Sequence, residues 1–134
     1  MNIFRRFLAH TVTHVSFAFL AMGGWAVFAN LGHPFPEPLI AGLVQGILSG
    51  TITLVMKKAL EALSRRFSDN GKGMHPLFAP PLIVCSVSLA VLVTSHLAAG
   101  TPEIVKTIAI PFSVAFTYAC IYSFGLWRQT ETGT

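Results

Sequence analysis

Four long apolar runs, separated by short polar stretches, make up the chain: about Leu8–Ala29, Pro38–Lys57, Ala79–Ala99 and Glu103–Trp127. Each matches the roughly 20 mainly apolar residues that a helix needs to cross a bilayer. The runs are continuous. They lack the apolar–polar alternation over about 10 residues that marks a membrane β-strand. Glu103 stands at the border of the fourth run, and no other Asp or Glu falls within a run; Lys57 and Lys106 sit near their ends. The pattern predicts an all-α integral membrane protein. It would be a single four-span domain over residues 1–134, folded as two antiparallel helical hairpins.

Helix punctuation falls at the borders. Pro34, Pro36 and Pro38 break the first connection and start the second span, since proline lacks the N–H a continuing helix needs. Pro76, Pro80 and Pro81 are expected to do the same before the third span. Gly100-Thr101-Pro102-Glu103 reads as a stop followed by a start, with Thr101 as the cap and Glu103 against the positive end of the helix dipole. The middle connection, about 58–78, is longer and charged. Its first part, Ala59 to Phe67, is expected to prolong the second helix beyond the membrane, and Ser68 to Gly73 to form a flexible turn. Arg5 and Arg6 followed by an apolar run resemble a signal peptide, but the run is too long for a signal core, so an uncleaved span is expected.

Composition narrows the class. The chain has 134 residues, 53% hydrophobic and 10% charged, with a mean hydropathy of +0.66. A soluble domain carries about 25% charged residues, and so small a soluble domain has a large surface to cover. The 11 Phe and the long aliphatic runs are equally unlike a disordered chain. The formal net charge of +4 follows from topology. Eight of the 9 Lys and Arg residues fall at the N-terminus, the middle connection and the C-terminal tail, leaving Lys106 alone on the other side. The positive-inside rule then puts both termini and the middle connection in the cytoplasm of a bacterial-type inner (plasma) membrane. Anionic headgroups account for the basic excess, so no nucleic-acid partner is implied. Trp25 and Trp127 fall near opposite faces, as interfacial anchors do. Pro36-Glu37 and Pro102-Glu103 each open a return helix; helix-start chemistry explains this faint echo, and a pair of parallel repeats is the sharper alternative.

Chemistry is sought among polar groups inside the spans, because lipid makes them costly. Gly42, Gly46 and Gly50, spaced four apart, form a ridge that lets another backbone approach, within the chain or between chains. If the ridge were the oligomer seam, Gly46→Leu would break the oligomer. Gln45 beside it needs a partner, either another helix or a site. His10 and His14 share a helical face at the spacing of a two-histidine metal or haem clamp. Hydrogen bonding or a proton-linked role are the alternatives. Depth arithmetic puts His14, Thr51, Cys85 and Cys120 at one level, roughly 9–10 Å below the cytoplasmic face, where they would form a polar layer if the helices turn them together. Cys is also an ordinary small core residue, and no disulfide is expected near the reducing side.

Asn30, His33, Glu37, His96, Glu103 and Lys106 gather near the opposite mouth, as solvated loop groups or as a vestibule. His96 is the best site candidate among them. Pro111 kinks or hinges the fourth span, with the Thr107 hydroxyl placed to relieve the freed backbone. Tyr118 and Tyr122, four apart, give that helix a hydroxyl-bearing face, and Tyr118 needs a partner.

No nucleophile elbow, zinc-protease helix, phosphate loop or paired in-membrane carboxylate is present, so a non-enzyme without a cofactor is expected. The leading expectation is a small homo-oligomeric transporter or channel for a small solute or lipid-like substrate. Its path candidates are His14, Gln45, Thr51, Cys85, His96, Tyr118 and Cys120. The size is that of small four-span carriers, but the in-span carboxylate of cation-coupled multidrug export is lacking. The alternatives are a non-catalytic accessory or scaffold subunit, whose glycine ridge would bind a foreign helix, and a haem- or metal-binding protein using His14. Partners are the lipid bilayer and either further copies or another membrane subunit.

Overall fold

The computed structural model describes residues 3–69 and 75–132, with side chains from residue 10 onward. It holds four helices: α1 (Ile3–Ala29), α2 (Glu37–Ser68), α3 (His75–Ala98) and α4 (Ile104–Glu131). Each is long and apolar enough to cross a membrane, which fits a multi-pass membrane protein. The side chains of Arg5 and Arg6, and most of the expected turn at Ser68–Gly73, lie outside the described residues.

The second helix does continue past Lys57, to Ser68. The third begins earlier than the prolines suggested. Pro80 and Pro81 lie inside α3 rather than before it, and both are buried. They fall in the second turn, where each lacks the N–H that would bond the carbonyl four residues back, at Pro76 and Leu77, and the helix continues through both. Helix α4 likewise runs on through Pro111.

Burial is inverted relative to a soluble bundle. The inner face of α2 carries Ala41, Gly42, Gln45, Gly46, Ser49 and Gly50, while Leu39, Ile40, Leu43 and Ile47 are exposed. In lipid the apolar side chains have no reason to hide, so small residues take the interior and allow close backbone contact.

The glycine ridge is covered by α1 of the same chain. A Cβ on Gly42 would collide with the Val27 side chain and come within 3.0 Å of the Gly23 carbonyl. One on Gly46 would meet the Phe19 ring at 3.0 Å, and one on Gly50 the Val15 side chain at 3.3 Å. Val15, Phe19, Gly23 and Val27 recur every four residues, so one stripe of α1 lies along one stripe of α2, the two running in opposite senses. The ridge is therefore not free to take a foreign helix or to seam an oligomer.

Helix α2 is central. It touches α1, α3 and α4, whereas α1 and α3 share no contact among the described residues. Toward the far end of α2 the interior becomes apolar: Met56, Leu60, Val84, Cys85 and Ala119 pack together, flanked by Phe112 and Tyr122.

Candidate functional site

The α1–α2 and α3–α4 connections meet at one end of the bundle, and polar groups are concentrated there. Helix α3 ends on Gly100, whose φ of +69° is open to glycine and strained for other residues. The Thr101 N–H bonds the His96 carbonyl at 3.0 Å and the Gly100 N–H bonds Leu97 at 3.1 Å. This pair of bonds defines a Schellman stop. The stop folds Thr101 back over the helix it has just left. Its hydroxyl lies 2.8 Å from His96 Nδ1, instead of capping α4 as the sequence suggested. Glu103 is the residue preceding α4, and its own side chain makes no capping bond to that helix.

His96 is wholly buried and reaches Gln45 on α2, with Nε2 2.9 Å from Gln45 Oε1. Gln45 in turn donates from Nε2 to Ser49 Oγ at 2.8 Å. With the Gln45 amide in this orientation its oxygen faces His96, so Nε2 carries the ring proton. Nδ1 then accepts from Thr101. The result is a one-way chain, Thr101 to His96 to Gln45 to Ser49, crossing from the α3–α4 connection into the middle of α2. Two of the sequence's site candidates, Gln45 and His96, are thus direct partners.

Asn30 makes a second connection. It is fully buried rather than solvated in a loop. Its amide nitrogen donates to the Ala26 carbonyl at 2.8 Å and to Thr107 Oγ1 at 2.7 Å. Its oxygen accepts the Glu103 N–H at 3.0 Å. One side chain therefore ends α1, begins α4 and links the two. The Thr107 hydroxyl, expected to relieve the backbone at Pro111, instead receives Asn30.

Outside this buried layer lies a charged rim. Lys106 Nζ is 3.1 Å from Glu103 Oε2, His33 Nε2 is 3.4 Å from Glu103 Oε1, and His33 Nδ1 is 3.9 Å from Glu37 Oε2. The Lys106 ammonium, and then His33, hold the Glu103 carboxyl below its ordinary pKa. Trp25 donates its indole N–H to the Lys106 carbonyl at 2.9 Å. The residues grouped at this mouth by sequence do come together, with Asn30 and His96 inside and the charged groups outside.

The other candidates are placed differently. His10, His14 and Thr51 are exposed on the outside of the bundle; Thr51 bonds its own helix at Ile47 O, 2.9 Å away. Cys85 is buried in the apolar cluster, and Cys120 is half-buried on α4. The expected layer of His14, Thr51, Cys85 and Cys120 therefore does not assemble within one chain: helix rotation, which depth arithmetic cannot supply, turns its first two members outward. Among the described residues no three of His, Cys, Asp and Glu gather as a metal site requires, so His10 and His14 meet no third ligand among those residues.

Tyr118 is half exposed and stacks on Tyr122, with ring centroids 5.6 Å apart and planes 13° apart. Tyr122 donates to Glu61 Oε1 at 2.6 Å. Glu61 is not singled out by the sequence reading. Its signal was its place four residues beyond Lys57 and four before Arg65, on a continuing helix. Lys57 and Arg65 stand 4.0 and 3.9 Å from it.

Comparison with family models, with curated proteins and with solved structures finds no match to this chain.

Proposed function

We propose that the chain is a multi-pass inner-membrane protein of two antiparallel hairpins, with both termini in the cytoplasm. We propose further that it acts without catalysis, as a homo-oligomeric transporter or channel for a small solute or lipid-like molecule. The path would run between copies and not down the middle of one chain.

One observation carries this reading. The buried polar side chains Asn30, Gln45, His96 and Thr107 are spent on bonds between helices and connections, whereas the imidazole of His14 faces outward. In a bilayer a polar ring on the lipid side is costly. A second copy or a passing polar solute would relieve it. Gln45 and His96 then serve as the rigid frame, and His14 with the α1 surface around it becomes the place to look for the path. Pro111 remains the proposed hinge.

The test is to reconstitute the protein in liposomes, measure its mass in a bilayer mimic, and screen for solute flux. A homo-oligomer with flux that falls at least about tenfold in His14→Leu is the expected result. A monomer with no flux for any solute would reject the reading.

The accessory-subunit reading is favoured by the same closed interior, which supplies a rigid block with an outer face left to pair. It differs in its outcome: the chain expressed alone stays monomeric, and a different membrane protein covers α1.

A further inference from the structure

Helix α1 turns one face to the glycine ridge of α2, through Val15, Phe19, Gly23 and Val27. At about 3.6 residues per turn, His10, His14, Phe17, Gly24 and Phe28 fall within an arc of about 80° on the opposite side. All five are exposed. Phe17 and Phe28 are at home against acyl chains; the other three are not. A Cβ on Gly24 would meet nothing within 4 Å, so its missing side chain serves no contact within the chain, although alanine suits a helix interior better. Where helices meet in lipid, such a position lets a second backbone come close.

Depth, ligand number and symmetry bear on what the two imidazoles do. From the buried Asn30, α1 runs about 24 Å to His14 and about 30 Å to His10, against a hydrocarbon thickness of about 30 Å. The pair therefore stands at the membrane face opposite the buried polar layer, within reach of ions in the adjoining water. Imidazoles four apart on a helix are neighbours and can grip one ion together. Two ligands are half of the four that a closed tetrahedral site takes, and no third His, Cys, Asp or Glu joins them among the described residues. Copies of one chain in a membrane share one topology. A two-fold axis along the membrane normal therefore sets two α1 helices side by side and parallel, with both histidine pairs at the same depth. The second pair completes the set of four. An all-imidazole set suits zinc, copper or nickel, and not magnesium or calcium.

We propose that two copies of the chain meet along the exposed face of α1 and that their four imidazoles, from His10 and His14 of each, bind one divalent transition-metal ion. The site rests on the homo-oligomer proposed above and names what clasps its two α1 helices.

The experiment uses the full chain in detergent, purified without a polyhistidine tag, with Zn2+ or EDTA added. Native mass spectrometry reads the assembly, and elemental analysis reads the bound metal. The expected result is one Zn2+ per two chains, with dimerisation tightened at least about tenfold by Zn2+ and reversed by EDTA. His10→Ala and His14→Ala should each abolish the metal and its effect on the dimer, with helix content by circular dichroism unchanged. No stoichiometric Zn2+, one Zn2+ per single chain, or a Zn2+-linked dimer that survives either alanine change would overturn the site. An oligomer that passes solute without holding metal would overturn the clasp and leave the transport reading standing. A Zn2+-linked dimer with no flux for any solute would uphold the clasp and reject transport.

Discussion

The two halves of the bundle hold their helices together by different means. In the half nearest the α1–α2 and α3–α4 connections, backbones approach over Gly23, Gly42 and Gly46, and Asn30, Gln45 and His96 are fully buried and partnered. In the half around Glu61, larger apolar side chains fill the interior, and the polar contacts are half exposed. Here Ser123 Oγ and Trp127 Nε1 are buried with no partner among the described residues; the tryptophan expected as an interfacial anchor turns its N–H inward. Hydrogen bonds shielded from water are strong and intolerant of loss, whereas ion pairs in solvent contribute little. The first half is therefore expected to be the rigid frame and the second the half that yields to substitution.

The sharpest way to break this contrast is at the glycines. Gly46→Leu drives a branched side chain into the Phe19 ring and backbone, both only 3.0 Å from where its Cβ would sit. Separation of α1 from α2 should cost more than about 3 kcal/mol and appear as a large drop in melting temperature in detergent. Because α1 of the same chain covers the ridge, the loss should be of fold and not of oligomer alone. A folded monomer would show that the ridge serves assembly after all.

Next is His96→Leu, which strands Gln45 Oε1 and the Thr101 hydroxyl in a dry interior. Unpaired buried groups cost about 1–3 kcal/mol each, partly offset because polar groups in membranes find new partners. A loss of about 2 kcal/mol is expected from unfolding curves. His96→Gln should recover part of it by keeping a donor toward Gln45.

In the other half, Tyr122→Phe removes the bond to Glu61 and leaves the ring stacked. Glu61 stays partly in contact with water, so the loss should be under about 1 kcal/mol. A loss equal to that of His96→Leu would erase the difference between the halves.

The smallest effect is one of pH. Lys106 and His33 lower the Glu103 pKa in the folded protein, so the unfolded chain takes up its proton first as pH falls. The stability this carboxylate adds is full above the ordinary carboxylate range and is lost as pH drops through its lowered folded value. A slight decline in melting temperature below about pH 4 is expected, and it should vanish in Glu103→Gln.

Much of this architecture was legible in the residues. Four runs of spanning length need only hydropathy and helical rise to be recognised, and the continuation of α2 to Ser68 was visible in Ala59–Phe67. Helix boundaries were read less well at the prolines, since α3 starts at His75 and continues through Pro80 and Pro81 although each removes a backbone hydrogen bond. For the candidate site, Gln45 and His96 could each be singled out, because an amide and an imidazole in lipid must be partnered. That they partner each other, 51 positions apart, depends on how α2 and α3 face one another. His14 and Thr51 show the reverse case: equal depth suggested a meeting, and rotation about the helix axes turned both outward.

The sequence by itself therefore determined a four-helix chain suited to a bilayer and which of its groups lipid would penalise. Those properties are local sums over apolar runs, charges and proline positions. Only the tertiary structure decided that α1 takes the glycine ridge, that Asn30 and His96 are buried at one end, and that Glu61 is held by Tyr122 at the other. Those depend on azimuth and register between helices, which are set by the contacts of distant residues with one another.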